Sequence, residues 1–168
     1  NRVGYRFYKG QQLSVRLVAE WMFRGYDADD SHYLSGMDDR DGSIEGGIAA
    51  SFKDGWGIST VRVVTDLMGT HDGQEVTFSY AKPFVQKKLT LIPSIGVAFA
   101  SSHLTDYYYG VEPDEATSAR PQYDPSEAAY PYITLTANYR FSEKWSSMLS
   151  LRYDWLDSEI SDSPIVDE

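Results

Sequence analysis

The 168-residue sequence has no cysteine, which excludes a disulfide framework and any thiolate metal site. Histidine is nearly as scarce, with His32, His71 and His103 the only three. No apolar run approaches the roughly 18 residues of a membrane-crossing helix, and mean hydropathy is −0.42. Cations are in the minority: 15 Lys and Arg face 25 Asp and Glu, for a formal net charge of −10. No basic patch offers nucleic acid a surface, so that partner class is set aside. By hydropathy alone this is one soluble acidic domain over residues 1–168. The spacing of the apolar residues says otherwise.

What is present is a period of two. Between Leu13 and Phe23, Leu13, Val15, Leu17, Ala19, Trp21 and Phe23 share one parity, while Ser14, Arg16 and Glu20 fall on the other. That is the pattern of a strand with one apolar and one mixed face. It recurs over 89–100, 130–141 and 145–156, and more weakly over 2–8, 43–53, 57–68 and 75–85. Eight strands and no long helix are therefore expected. They are near the 9–11 residues that a tilted strand needs to cross a bilayer. The minority face carries Arg16, Glu20, Glu45, Arg62, Asp66, Arg140, Arg152 and Asp154. A soluble sandwich keeps its inner face dry, whereas a transmembrane barrel has an apolar outer band and a polar lumen.

The connections decide between these. KGQQ, KDG, QKK and SEK are short; between them come residues 24–42, the GTHDG turn, 101–129 and the segment from 157. Short periplasmic turns alternating with longer external loops are the signature of an outer-membrane barrel. Aromatics gather at the strand ends, with Phe52, Trp56, Phe84, Phe141 and Trp145 by the short turns. Trp21, Phe23, Phe99, Tyr130, Tyr132 and Trp155 lie by the long loops, as two interfacial belts would require. The expected fold is all-β: an antiparallel up-and-down transmembrane β-barrel with eight strands visible. Strand directions require a rising strand before residue 1 and a descending one after residue 168, so at least ten complete the barrel. The expectation is thus a single β-barrel domain that is part of a larger protein.

Four stretches carry a resemblance to a known family: GMDDRDGSIEGG (36–47), DLMGTHDGQEVTFSY (66–80), YYYGVEPDEA (107–116) with RPQYDPS (120–126), and DSEISDSPIV (157–166). They resemble the MipA/OmpV family of outer-membrane proteins, named after an MltA-interacting protein. The resemblance covers nearly the whole chain. It implies a location in the outer membrane of a Gram-negative bacterium. It also implies a non-enzymatic scaffold that joins a lytic murein transglycosylase to a penicillin-binding protein, and contact with outer-membrane lipid and lipopolysaccharide. Other members are linked to adhesion, osmotic adaptation or antibiotic response. The alternative functions are an outer-membrane pore, adhesin or receptor with acidic external loops, or a soluble β-barrel binding protein.

Little in the sequence carries catalytic chemistry. His71 precedes Asp72 with no serine beside it, and His103 follows Ser101 and Ser102 and precedes Asp106. A hydrolase would need serine, histidine and acid in one array, and both sites read as polar loop edges. DDRDG (38–42) fails as an EF-hand loop, because Met37 and Ile48 occupy ligand positions. No metal site and no cofactor are expected. The acids of 24–42 and of the tail (Asp157, Glu159, Asp162, Asp167, Glu168) read first as repulsion between external loops.

Tyr107, Tyr108 and Tyr109 run through Gly110 and Val111 to Pro113, and Tyr123 follows. Pro113 with Asp114 and Glu115 behind it suggests a short helix over 113–119, with Gly110 as the bend before it. The tyrosines are expected to turn inward against the barrel mouth as the root of a lid.

Overall fold

A computed structural model describes residues 2–166, so Asp167 and Glu168 of the acidic tail lie outside the described residues. Among the described residues nine strands form one antiparallel sheet: β1 (Arg2–Lys9), β2 (Leu13–Met22), β3 (Ser43–Lys53), β4 (Ile58–Asp66), β5 (Gln74–Ala81), β6 (Phe84–Gln86), β7 (Leu89–Ala100), β8 (Ala128–Arg140) and β9 (Ser146–Asp154). Two short helices, α1 (Ser102–Tyr109) and α2 (Ser158–Ser161), lie in the long connections. Spatial order follows chain order, with β6 paired to β7 beside the main path. The sheet curls into a half-barrel whose edge strands are β1 and β9. Among the described residues no helix is long and apolar enough to cross a membrane.

The eight expected strands are all present, but the one expected over 75–85 is two. Pro83 cannot donate to a ladder. The chain therefore breaks after Ala81 and resumes as β6, which pairs Phe84 with Leu91. Register is otherwise uninterrupted except for a bulge between Arg6 and Tyr8.

Parity sorts the faces. Leu17, Ile48, Val63, Ile95, Leu135 and Leu151 all stand on the convex face and are exposed. Arg16, Glu20, Arg62 and Glu75 point to the concave face, where Val18, Ala49 and Val64 form a small apolar cluster. Exposed apolar wall and charged interior are the arrangement of a sheet solvated by lipid.

Two belt assignments need correcting. Tyr130 and Tyr132 are buried on the concave side. They share parity with Thr134, opposite to lipid-facing Ile133 and Leu135, so period two sends them inward.

The short turns are self-capped. The Asp54 carboxylate accepts N–H bonds from Trp56 (2.7 Å) and Gly57 (2.9 Å), an Asx turn. Ser142 Oγ accepts from Lys144 and Trp145. Lys87 takes φ 48° at the β6–β7 turn.

Candidate functional site

The long-loop end is closed by α1. It begins where β7 ends, and its N-terminus is tied to the start of the neighbouring strand β5, with Ser101 Oγ accepting the Gln74 N–H at 2.9 Å. Leu104 is 0% exposed and Tyr108 2%. Both pack on Ala98, Ala100, Ala128, Tyr130 and Ile160. The inward alanines leave the space that the helix fills. Gly73 lets it approach: a Cβ there would lie 2.6 Å from the Leu104 Cβ.

The expected helix at 113–119 does not form, and the helix lies instead at 102–109, carrying all three tyrosines. Glu115 explains the difference. Its carboxylate accepts N–H bonds from Asp38 (2.8 Å) and Glu112 (2.9 Å) and both oxygens meet Arg40 Nη2 at 2.8 and 2.9 Å. Those partners hold 112–115 as a turn, whereas burial of Leu104 and Tyr108 makes a helix of a segment with poor intrinsic propensity. α1 ends at Gly110, where the backbone turns extended with its N–H still on the Asp106 carbonyl, and a Cβ there would lie 2.4 Å from Asp106 Oδ1. Val111 then bridges to Tyr123.

Each tyrosine ties the helix to another loop. Tyr107 OH accepts the Asp41 N–H at 2.9 Å, and its carbonyl accepts from Arg40 Nε at 2.8 Å. Tyr108 OH donates to the Asp41 carbonyl at 3.1 Å. Burial pushes its phenol pKa up, so it remains a donor. The Tyr109 carbonyl accepts from Ser163 Oγ at 2.6 Å. Tyr123 OH reaches the Glu159 carbonyl at 3.3 Å. Pro113 sits in the exposed turn. Arg120, buried, donates to the carbonyls of Tyr33 and Glu115.

Beneath the helix lies a charge network. Arg62 bridges Glu20 and Glu75 and donates to Thr77 Oγ1 at 2.9 Å. Glu75 also meets Arg24 (3.3 Å) and the Tyr130 hydroxyl.

Glu45 and His71 are both 0% exposed, with His71 Nε2 3.5 Å from the carboxylate and 3.2 Å from Ser43 Oγ. This serine–histidine–acid grouping is not wired as a nucleophilic triad. His71 Nδ1 accepts the Gly73 N–H at 2.9 Å, so the proton sits on Nε2, the nitrogen facing both Ser43 and Glu45. A triad needs one nitrogen to take the serine proton and the other to donate to the acid. Ser101 is likewise occupied at the strand end, and His103 is exposed.

The remaining expected lumen charges divide. Arg16 lies directly opposite Arg6 in the β1–β2 register and donates to Ser51 Oγ at 3.3 Å. Arg152 pairs with Asp154 and covers the Tyr132 ring at 3.7 Å. A cavity of about 490 Å³ is lined by Arg6, Arg16, Arg62 and Arg152. Arg140 is exposed at the short-turn rim. Asp66 is spent on the β4–β5 turn, accepting from the N–H groups of Met68 (2.8 Å) and His71 (2.7 Å).

A second, external cavity of about 410 Å³ contains His103, Asp106 and Glu112. Burial, then Asp124 and Glu112 nearby, raises the Asp106 carboxyl. Among the described residues no cluster of three His, Asp or Glu suits a metal ion. Arg24, Arg40, Glu75, Glu115 and Arg120 were absent from the sequence-derived set. No local signal marked them, because charged side chains are buried only where a partner meets them, and these partners lie 51 and 75 positions away.

The family described as "MltA-interacting protein MipA" matches residues 1–168. The MltA-interacting protein of Escherichia coli K12 is 29% identical over 168 residues, covering 98% of this chain and 68% of the relative. Outer membrane protein OmpV of Vibrio cholerae is 28% identical over 167 residues, 98% of this chain and 65% of the relative. Outer membrane protein Omp26La of Vibrio anguillarum is 26% identical, with the same two shares. No solved structure matches.

Proposed function

The chain belongs to the MipA family of Gram-negative outer-membrane proteins, and from that premise we propose that it is a non-enzymatic barrel wall that holds a peptidoglycan-remodelling enzyme at the inner face of the outer membrane. A relative is named for interaction with MltA; the partner class carried over to this chain is a lytic murein transglycosylase, with a penicillin-binding protein as the second guest. The observation that favours a holding role over transport is the external mouth, packed shut by α1 and hydrogen-bonded through its tyrosines to the 24–42 loop and to the segment after β9.

The short turns alone are small beside the roughly 800 Å² per partner of a stable interface. The rest of the contact belongs to other parts of the longer protein. The free edges of β1 and β9 require strand partners in lipid, and further strands of that protein close the barrel.

Capture from detergent-solubilised envelopes tests this. Full-length protein retains the transglycosylase, and failure to retain it above a control barrel overturns the reading. A pore is the second reading, favoured by the facing Arg6 and Arg16 in the concave cavity. With α1 in place planar bilayers stay silent, and steady conductance would decide for the pore.

A further inference from the structure

All six lysines (Lys9, Lys53, Lys82, Lys87, Lys88 and Lys144) lie at the short-turn rim, where Asp54 and Glu143 are the only acids among the described residues. The long-loop end is the reverse. Its arginines Arg24, Arg40 and Arg120 are engaged by Glu75, Glu115 and loop carbonyls, and acids dominate what remains.

On the convex face just above the basic rim, β2–β7 form an apolar trough of about 650 Å³. Ala50 and Ser59 make its floor; Leu13, Phe52, Phe78 and Tyr80 are its walls. The hydroxyls of Ser59 and Tyr80 stand on this lipid-facing surface without a protein partner among the described residues. Lys82 lies just past the end of β5, two residues below Tyr80, with its N–H donating to the Pro93 carbonyl at 3.1 Å. Its ammonium lies 5.8 Å over the Trp56 ring and 5.7 Å over the Phe84 ring, which holds it at the outer margin of the rim, beside lipid headgroups.

We propose that this trough is a binding site for an anionic glycerophospholipid of the periplasmic leaflet. One acyl chain lies along Ala50 and Ser59 between the aromatic walls. The ester carbonyls, at the depth where chain meets headgroup, accept hydrogen bonds from the Ser59 and Tyr80 hydroxyls. The phosphate meets Lys82, a compact cation suited to a phosphate as a point charge. Charge complementarity selects the lipid. Neighbouring turn lysines add to the attraction for a headgroup of net negative charge, and a zwitterionic headgroup brings its own cation into the same rim. The trough depends only on β2–β7, in the interior of the sheet, so the strands beyond β1 and β9 do not enter it.

Native mass spectrometry of the full-length protein in an uncharged detergent tests the site with phosphatidylglycerol and phosphatidylcholine of matched chains. Wild type retains phosphatidylglycerol at lower lipid concentration. Lys82→Gln, outside the strands and so without risk to folding, weakens that retention roughly fivefold, the effect of one lysine beside an anionic surface. Ala50→Phe fills the floor and reduces adducts of both lipids, with heat-modified gel mobility reporting that the barrel remains folded. Equal retention of the two lipids by wild type overturns the proposal, as does phosphatidylglycerol binding unchanged by Lys82→Gln. Equal lipid retention combined with loss of transglycosylase capture on lysine neutralisation also overturns it, and assigns the rim to a protein.

Discussion

The two ends of the wall spend their cations in opposite ways. At the long-loop end every described arginine is locked to a carboxylate or to loop carbonyls, and the loops pack into a lid. At the short-turn end the lysines are scattered over turns that cap themselves through Asp54 and Ser142. Arginine with its planar fork suits buried pairing, and lysine suits a solvated or headgroup-facing rim. One end is built by long-range contacts and the other by local turns, so substitutions at the two ends should differ in kind as well as in size.

The comparison breaks most visibly at Arg62. Arg62→Ala removes the cation that Glu20 and Glu75 share; Arg2 and Arg24 still face them, so the cost falls at the low end of the about 3–5 kcal/mol of a broken buried pair. Thermal unfolding in detergent should show the loss, and an unchanged midpoint would mean that the network does not hold the upper wall.

Leu104→Ala empties the centre of the plug. Such truncations cost about 2–5 kcal/mol when the site cannot collapse. Here the α1 anchor loosens first, so protease cleavage near Tyr107–Tyr109 in intact cells accelerates more than the barrel destabilises.

Glu115 adds a pH dependence confined to the external end. Burial alone would raise its carboxyl, but the N–H groups of Asp38 and Glu112 together with Arg40 outweigh it and hold the pKa below the usual value of 4.5. A depressed carboxylate stabilises fully above its unfolded pKa and loses that contribution as pH falls through the folded one. The lid therefore loosens in acid, at pH values below 4.5. Glu115→Gln loosens it at neutral pH by about 1.5–3 kcal/mol and removes the acid transition. Proteolysis across a pH series reads both, and an acid transition that survives the substitution would point to another carboxylate.

The smallest effect belongs to the other end. Lys87 sits at φ 48°, and Lys87→Gly relieves that strain, so stability rises by no more than about 1 kcal/mol. A loss comparable to Leu104→Ala would show that the short turns are also held by long-range packing.

Much of the wall was legible in advance. Strand bounds at 43–53 and 89–100 agree with the expected ones to the residue, because side-chain alternation is a local consequence of the extended backbone. The same rule placed Arg16 and Glu20 on one face and Leu17 and Trp21 on the other. Where it was ignored, at Tyr130 and Tyr132, the belt assignment failed. The family resemblance and the outer-membrane location were likewise readable from motifs in order along the chain.

The mouth was not legible. Nothing in SHLTDYYY announces a helix, and the Pro113 signal pointed to the wrong turn. The residues that decide the matter are remote: Gly73 and Ala98 make room for Leu104, and Arg40 claims Glu115 from 75 positions away. The sequence by itself determined which residues face lipid, which face inward, and that all the lysines gather at one rim, since period two and turn length are local properties. Only the tertiary structure decided which acid each arginine takes and where three tyrosines are housed, since those energies exist only once distant strands have brought their partners together.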